Sequence, residues 1–145
     1  MPAWHPHLDV WLLLGGLWAA YLIAVRRHRA TPAEAADRRR RTTLFSLGMA
    51  CLWFVADWPV HDLAEGYLYS VHMVQHLLLM LVAAPLIALG APVTQLLRAA
   101  TPSARKRWLL PFLHSPPVAA LGHPVVAWLA FTLVMWLSHF SPLFD

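Results

Sequence analysis

From Gly66 to Leu97 the sequence contains no charged residue, and this uncharged stretch constrains the fold more than any other feature. About 20 apolar residues, each rising about 1.5 Å, cross the hydrocarbon core of a bilayer, so the stretch predicts a membrane-spanning helix. His72 and His76 lie inside it four residues apart, which places both imidazoles on one helix face. Because polar side chains inside a spanning helix are energetically costly, that face is a candidate functional surface.

The composition also favours a membrane protein. Hydrophobic residues make up 59% of the chain and charged residues 12%, and the eight tryptophans suit the aromatic belts found at membrane interfaces. The net charge of +4 would fit a nucleic-acid-binding protein, but the basic residues lack the interleaved aromatic side chains that stack on bases. We therefore expect the lipid bilayer as a partner and no nucleic acid. The single cysteine, Cys51, excludes an internal disulfide within this sequence.

Four apolar segments predict an all-α fold, a polytopic membrane helix bundle that forms one membrane domain over residues 1–145. The four predicted transmembrane helices cover residues 8–25, 42–60, 67–90 and 118–140. The Gly90-Ala91-Pro92 sequence is expected to end the third helix, because proline cannot continue the hydrogen-bond ladder of a helix.

The basic residues predict the orientation of these helices. All eleven lysines and arginines fall in two blocks, within residues 26–41 and 98–107. Positively charged loops stay on the cytoplasmic side of a membrane. We therefore expect two cytoplasmic loops, at residues 26–41 and 91–117, and an N-terminus on the outer side.

Histidine, methionine and acidic side chains line one face on three of the predicted helices, toward the outer leaflet. Imidazole nitrogen binds copper, zinc and iron, whereas thioether sulfur favours Cu(I). A face that mixes both ligand types predicts a copper site. Its candidate metal ligands are His72, Met73, His76 and Met80 on the third helix, Met135 and His139 on the fourth, and Asp57 on the second.

The same residues allow other interpretations. The histidines can form hydrogen bonds between helices while the methionines fill packing gaps. A haem held between His76 and His139 would indicate an electron-transfer subunit instead. Asp57 can also be a solvated group near a helix end. An enzyme is not expected, because the sequence offers no nucleophile with a base, no phosphate loop and no paired intramembrane carboxylates.

Several short motifs resemble a known family. These are Asp57-Trp58-Pro59, the HMxQH element of residues 72–76 in a leucine-rich helix, Ala84-Pro85-Leu86, Gly90-Ala91-Pro92, and the histidine-proline element at residues 138–145. Together they resemble the CtaG-type cytochrome c oxidase assembly factors of bacteria. Members of that family are similar to seven-helix proteins, so we expect this chain to be the N-terminal part of a larger helix bundle.

The resemblance implies a multi-pass protein of the bacterial inner cell membrane that matures a haem-copper cytochrome c oxidase. It implies a subunit of that oxidase as partner and a non-enzymatic role as a chaperone that holds or delivers copper on the outer side of the membrane. The alternatives are a haem-binding membrane electron-transfer subunit and a metal-free membrane scaffold.

Overall fold

A computed structural model describes residues 8–27, 31–57 and 69–138, and every regular element within these ranges is helical. The prediction of an all-α fold is therefore confirmed. Backbone contacts divide the chain into two compact units, Met1–Ala100 and Thr101–Asp145.

The first unit has two long helices followed by an interrupted one. Its described elements are α1 (Leu8–Arg27), α2 (Pro32–Ala56), α3 (Tyr69–Leu78), a π-helical segment (Leu79–Ala83), α4 (Ala84–Leu89) and α5 (Pro92–Ala99). The predicted helices over 8–25 and 67–90 correspond to α1 and to the run from α3 to α4. Residues 67 and 68 lie outside the described ranges.

Helix α2 begins at Pro32, ten residues before the predicted start of the second helix, so most of the expected loop at 26–41 is helical. The backbone N–H and the hydroxyl of Thr31 both donate to Oε2 of Glu34, at 2.9 Å each. This glutamate satisfies an otherwise unpaired group at the helix start, and Pro32 suits the first helical position. A run of charged residues does not oppose a helix, since arginine, alanine and glutamate are good helix formers.

The expected loop at 91–117 is also largely helical. Helix α5 is followed in the second unit by α6 (Pro102–Ala104), a second π-helical segment (Arg105–Leu109), α7 (Leu110–Leu113), α8 (Pro116–Leu121) and α9 (Pro124–Ser138). The segment predicted as one helix over 118–140 is therefore two helices, α8 and α9, separated by Gly122 and His123. Its last residues, 139 and 140, lie outside the described ranges.

Prolines explain both the breaks between helices and the π-helical segments within them. Five helices of the described ranges begin at a proline, whose fixed φ and missing N–H suit the first helical position: α2, α5, α6, α8 and α9. Pro85 and Pro111 instead lie inside continuous helical runs, each two residues after a π-helical segment. A proline inside a helix clashes with the carbonyl four residues earlier. Widening the preceding turn to a π-helix accommodates the ring, and Ala84 N–H then bonds to the Leu79 carbonyl.

The core of the first unit lies where α1, α2 and α4 meet. The rings of Tyr21 and Phe45 stack with centroids 3.7 Å apart, and the Tyr21 hydroxyl donates to the Gly90 carbonyl at 3.0 Å. Gly90 is followed by Ala91, which adopts a left-handed conformation (φ 48°, ψ 56°). This conformation costs an alanine about 1 kcal/mol and redirects the chain from α4 into α5. The buried tyrosine thus fastens α1 to the turn between α4 and α5.

Two helical runs of the described ranges are long and apolar enough to cross a membrane, Leu8–Arg27 and Tyr69–Ala99. The second of these includes α3, α4 and α5 with the breaks between them. Pro124–Leu137 is apolar but shorter, and α2 carries a charged first half. Length and composition therefore identify two candidate spans, and the prediction of four transmembrane helices with an outer N-terminus remains a prediction.

Candidate functional site

The histidine pair predicted from its spacing lies on one face of α3, as expected. The Nε2 atoms of His72 and His76 are 2.9 Å apart, and the two rings meet edge to face with centroids separated by 4.5 Å. Tyr69, one turn earlier, stacks against His72 with a centroid separation of 6.2 Å. Both histidines are half-buried. The pair therefore presents two nitrogen atoms that converge at one point on a partly accessible helix face.

Two imidazole nitrogens at this separation could both reach one metal ion. Imidazole nitrogens bind first-row metals at about 2.0 Å, so two nitrogens 2.9 Å apart would subtend about 90° at a shared ion. Small side-chain rotations would widen that angle toward tetrahedral or trigonal values. The two nitrogens lie within hydrogen-bond distance of each other, and a metal ion bound between them would replace that contact. Imidazole is a ligand for copper and zinc alike, so the pair alone does not select the metal.

The methionines predicted as ligands are placed in different parts of the chain. Met73 lies on α3 beside His72 and is 38% exposed, whereas Met80 is half-buried in the π-helical segment one turn after His76. Met135 is half-buried on α9, in the second unit. His139 lies outside the described residues. Met80 is therefore the predicted sulfur ligand that lies one turn after the histidine pair on the same helical run.

Asp57 is buried directly after α2, and its side chain bonds to α1. Its Oδ2 accepts a hydrogen bond of 2.8 Å from the Trp11 indole N–H, and Trp11 packs edge to face against Trp53 at 5.8 Å. Its Oδ1 is buried and has no hydrogen-bond partner among the residues that the structure describes. Over residues 8–27, 31–57 and 69–138, no three His, Cys, Asp or Glu side chains come together as a metal-binding group. Asp57 thus does not join the histidine pair in such a group there.

Gln75 is a site residue that the sequence alone did not reveal. Its Nε2 donates to the Val55 carbonyl at 3.0 Å, and Val55 is completely buried. The last carbonyls of a helix lack partners within that helix, so the glutamine satisfies one at the end of α2. This bond links α3, the helix that carries His72 and His76, to the end of α2. The sequence signal for this role was the presence of a polar residue, Gln75, within the HMxQH element of an otherwise apolar helix.

Comparison with known proteins identifies a matching family and several relatives of the chain. Residues 19–145 match the model of the cytochrome c oxidase caa3 assembly factor family (Caa3_CtaG). The chain is similar to uncharacterized proteins of Mycobacterium bovis and Mycobacterium tuberculosis, each 33% identical over 95% of this chain and 22% of the relative. An uncharacterized protein of Mycobacterium leprae is 36% identical over 92% of this chain and 20% of its own length. The chain thus spans about a fifth of these curated relatives, and no solved structure matches it.

Proposed function

The chain belongs to the cytochrome c oxidase caa3 assembly factor family, and we propose that it holds or delivers copper for a haem-copper oxidase at the bacterial cell membrane. The family description supports an assembly role in association with the oxidase. We propose that this role is non-catalytic, with copper as cargo.

The surface of the first unit supports insertion into a bilayer. On α1 the side chain of Leu12 is 77% exposed, and in the π-helical segment Leu81 is 69% exposed. Helices that expose large apolar side chains over their length require an apolar environment, because soluble proteins rarely expose such continuous patches. Lipid would cover these side chains. The shorter helix α9 also exposes large side chains, including Trp128 and Trp136.

Reporter fusions test the proposed topology with four spans and an outer N-terminus. Fusions after Arg41 and after Arg105 should report the cytoplasm, because both basic blocks favour that side. A fusion at Glu65 should report the outside. If the Glu65 fusion reports the cytoplasm, the proposed number of spans before this residue is wrong. The placement of His72 and His76 toward the outer leaflet would then be wrong as well.

The observation that carries the copper proposal is the convergence of two imidazole nitrogens on α3. His72 and His76 would supply two nitrogen ligands to Cu(I), and Met80 would supply a thioether from the next turn. Gln75 links this helix to the end of α2 by its bond to the Val55 carbonyl. Met73 is a further candidate ligand on α3, whereas the ligand roles of Met135, His139 and Asp57 stay predictions from the sequence. Two imidazoles and one thioether on a partly exposed face give the ion few ligands. Such a site suits a copper ion that the protein passes on rather than retains.

Removal of the gene tests the proposed function. Oxidase activity should fall while oxidase transcripts are unchanged, because the defect lies in maturation of the enzyme and not in its synthesis. The loss should be greater under copper limitation than with copper in excess. Normal oxidase activity in both media would contradict the assembly proposal.

A further inference from the structure

A cationic cavity opens between the end of α1 and the first half of α2. It has a volume of about 590 Å³, and three arginines and two threonines contribute to its lining: Arg26, Arg38, Arg39, Thr42 and Thr43. None of its described lining residues is acidic. A cavity lined by three arginines and no described acidic residue has the chemistry of a phosphate-binding site, because arginine binds phosphate oxygens through paired hydrogen bonds.

A second cavity continues from the first along the same helix. Its volume is about 390 Å³, and it shares Thr42 and Thr43 with the cationic cavity. The rest of its lining includes Trp18, Leu47 and Ala50. The Trp18 indole N–H donates to the Ser46 hydroxyl at 3.1 Å, so these two polar groups are already paired with each other. The two cavities together form one groove with a cationic end and an apolar end.

The spacing of the lining residues makes the groove continuous along α2. They occupy positions 35, 38, 39, 42, 43, 46, 47 and 50, which are steps of three and four residues along one helix face. From Arg39 to Ala50 the helix rises about 16 Å, at about 1.5 Å per residue. This length is about half of the roughly 30 Å hydrocarbon core of a bilayer. The length of the groove therefore matches the hydrocarbon thickness of one bilayer leaflet.

The acidic side chains in the first half of α2 do not line the groove. Asp37 accepts a hydrogen bond from Nε of Arg41 at 2.7 Å, and Glu34 accepts from the N–H and the hydroxyl of Thr31. The Arg41 guanidinium holds the pKa of Asp37 below its ordinary value, so this carboxylate stays ionised and paired. Among the described residues, the charged side chains that line the cationic end are therefore all arginines.

We propose that this groove binds one phospholipid with an anionic headgroup. The phosphate lies at Arg26, Arg38 and Arg39, and an acyl chain follows α2 past Leu47 to Ala50. Basic pockets between membrane helices bind anionic headgroups on the cytoplasmic side. A free phosphate would occupy only the cationic end, whereas the apolar extension matches a lipid tail. The proposal rests on the proposed membrane insertion but not on copper binding.

The test uses the purified protein in a neutral detergent. Addition of dioleoyl phosphatidylglycerol should raise the thermal midpoint by about 3 °C or more, because a ligand that binds only the folded state stabilises it. Phosphatidylcholine and inorganic phosphate should each give less than half of that shift. R39Q should lose at least half of the shift with phosphatidylglycerol. R40Q removes the same charge at the next position of α2, outside the groove, and should retain it.

A second variant tests the apolar end without a change in charge. A50F fills the end of the groove, and we expect fewer bound phosphatidylglycerol molecules per protein in native mass spectrometry. Equal losses in R39Q and R40Q would contradict a defined groove and indicate diffuse charge attraction. An equal shift with inorganic phosphate, or none with phosphatidylglycerol, would overturn the lipid proposal. Copper binding by R39Q should remain at the wild-type level, so a failure here is distinguishable from a failure of the copper proposal.

Discussion

Replacement of His76 with alanine is expected to weaken Cu(I) binding by a factor on the order of 100 or more. The substitution leaves one imidazole where the structure has two nitrogens 2.9 Å apart, so the two-point attachment of the ion is lost. A competition titration against a colorimetric Cu(I) chelator, with the purified protein in detergent, measures the change. His72→Ala should have an effect of the same size, because each histidine supplies one of the two nitrogens.

Val74→Ala is the matched control for the histidine variants. Val74 lies between the two histidines on α3 and is 52% exposed, so its truncation removes apolar surface without altering a nitrogen ligand. Copper affinity should be unchanged. If the histidines only stabilise the helix, His76→Ala would lower the thermal midpoint of the metal-free protein and leave copper binding intact. That outcome would contradict the ligand assignment.

Gly48→Ala is expected to destabilise the first unit by about 1–3 kcal/mol, the usual cost of overpacking a core. A β-carbon at position 48 of α2 would lie 2.8 Å from Cγ1 of Ile87, 2.9 Å from the Ile87 backbone nitrogen and 3.0 Å from the Ala83 carbonyl oxygen. Two of these neighbours are backbone atoms, which cannot rotate away. Helix α2 and the helical run that carries α4 must therefore separate. Thermal unfolding in detergent measures the loss.

Gly16→Ala provides the comparison for this substitution. Gly16 lies inside α1, and a β-carbon there would meet no atom within 4 Å. Both substitutions gain about 1 kcal/mol of helix propensity, so the difference between them isolates the packing effect. Gly16→Ala should leave the thermal midpoint unchanged or raise it. Equal effects of the two substitutions would contradict the close approach of α2 to α4.

Hydrophobicity predicted the apolar helices well but could not locate helices that carry charge. The apolar run at the N-terminus is α1, and the uncharged stretch contains the run from α3 to α4. The first ten residues of α2 are largely polar and exposed, so an apolar pattern does not report them, although Thr31 and Glu34 carried the capping signal. The break before α9 was similarly readable from Gly122 and Pro124. The apolar pattern that predicts membrane-spanning helices does not contain these local capping and break signals.

The candidate site was predictable only as far as it depends on helical spacing. A separation of four residues is enough to place His72 and His76 on one face, because the helical repeat alone determines it. The bond between Trp11 and Asp57 joins positions 46 residues apart, and it depends on how α1 packs against the end of α2. The bond from Gln75 to the Val55 carbonyl depends in the same way on tertiary packing. The spacing of residues in a single sequence does not indicate hydrogen bonds between residues so far apart along the chain.

The copper content of the oxidase tests the central claim most directly. The oxidase is purified from copper-limited cells whose assembly factor carries His72→Ala and His76→Ala together, and its copper and haem are quantified per enzyme. We predict normal haem with copper below half of the wild-type content, while cells carrying Val74→Ala yield a fully loaded enzyme. An oxidase with full copper from the double-histidine variant would contradict the claim that this pair handles copper for assembly.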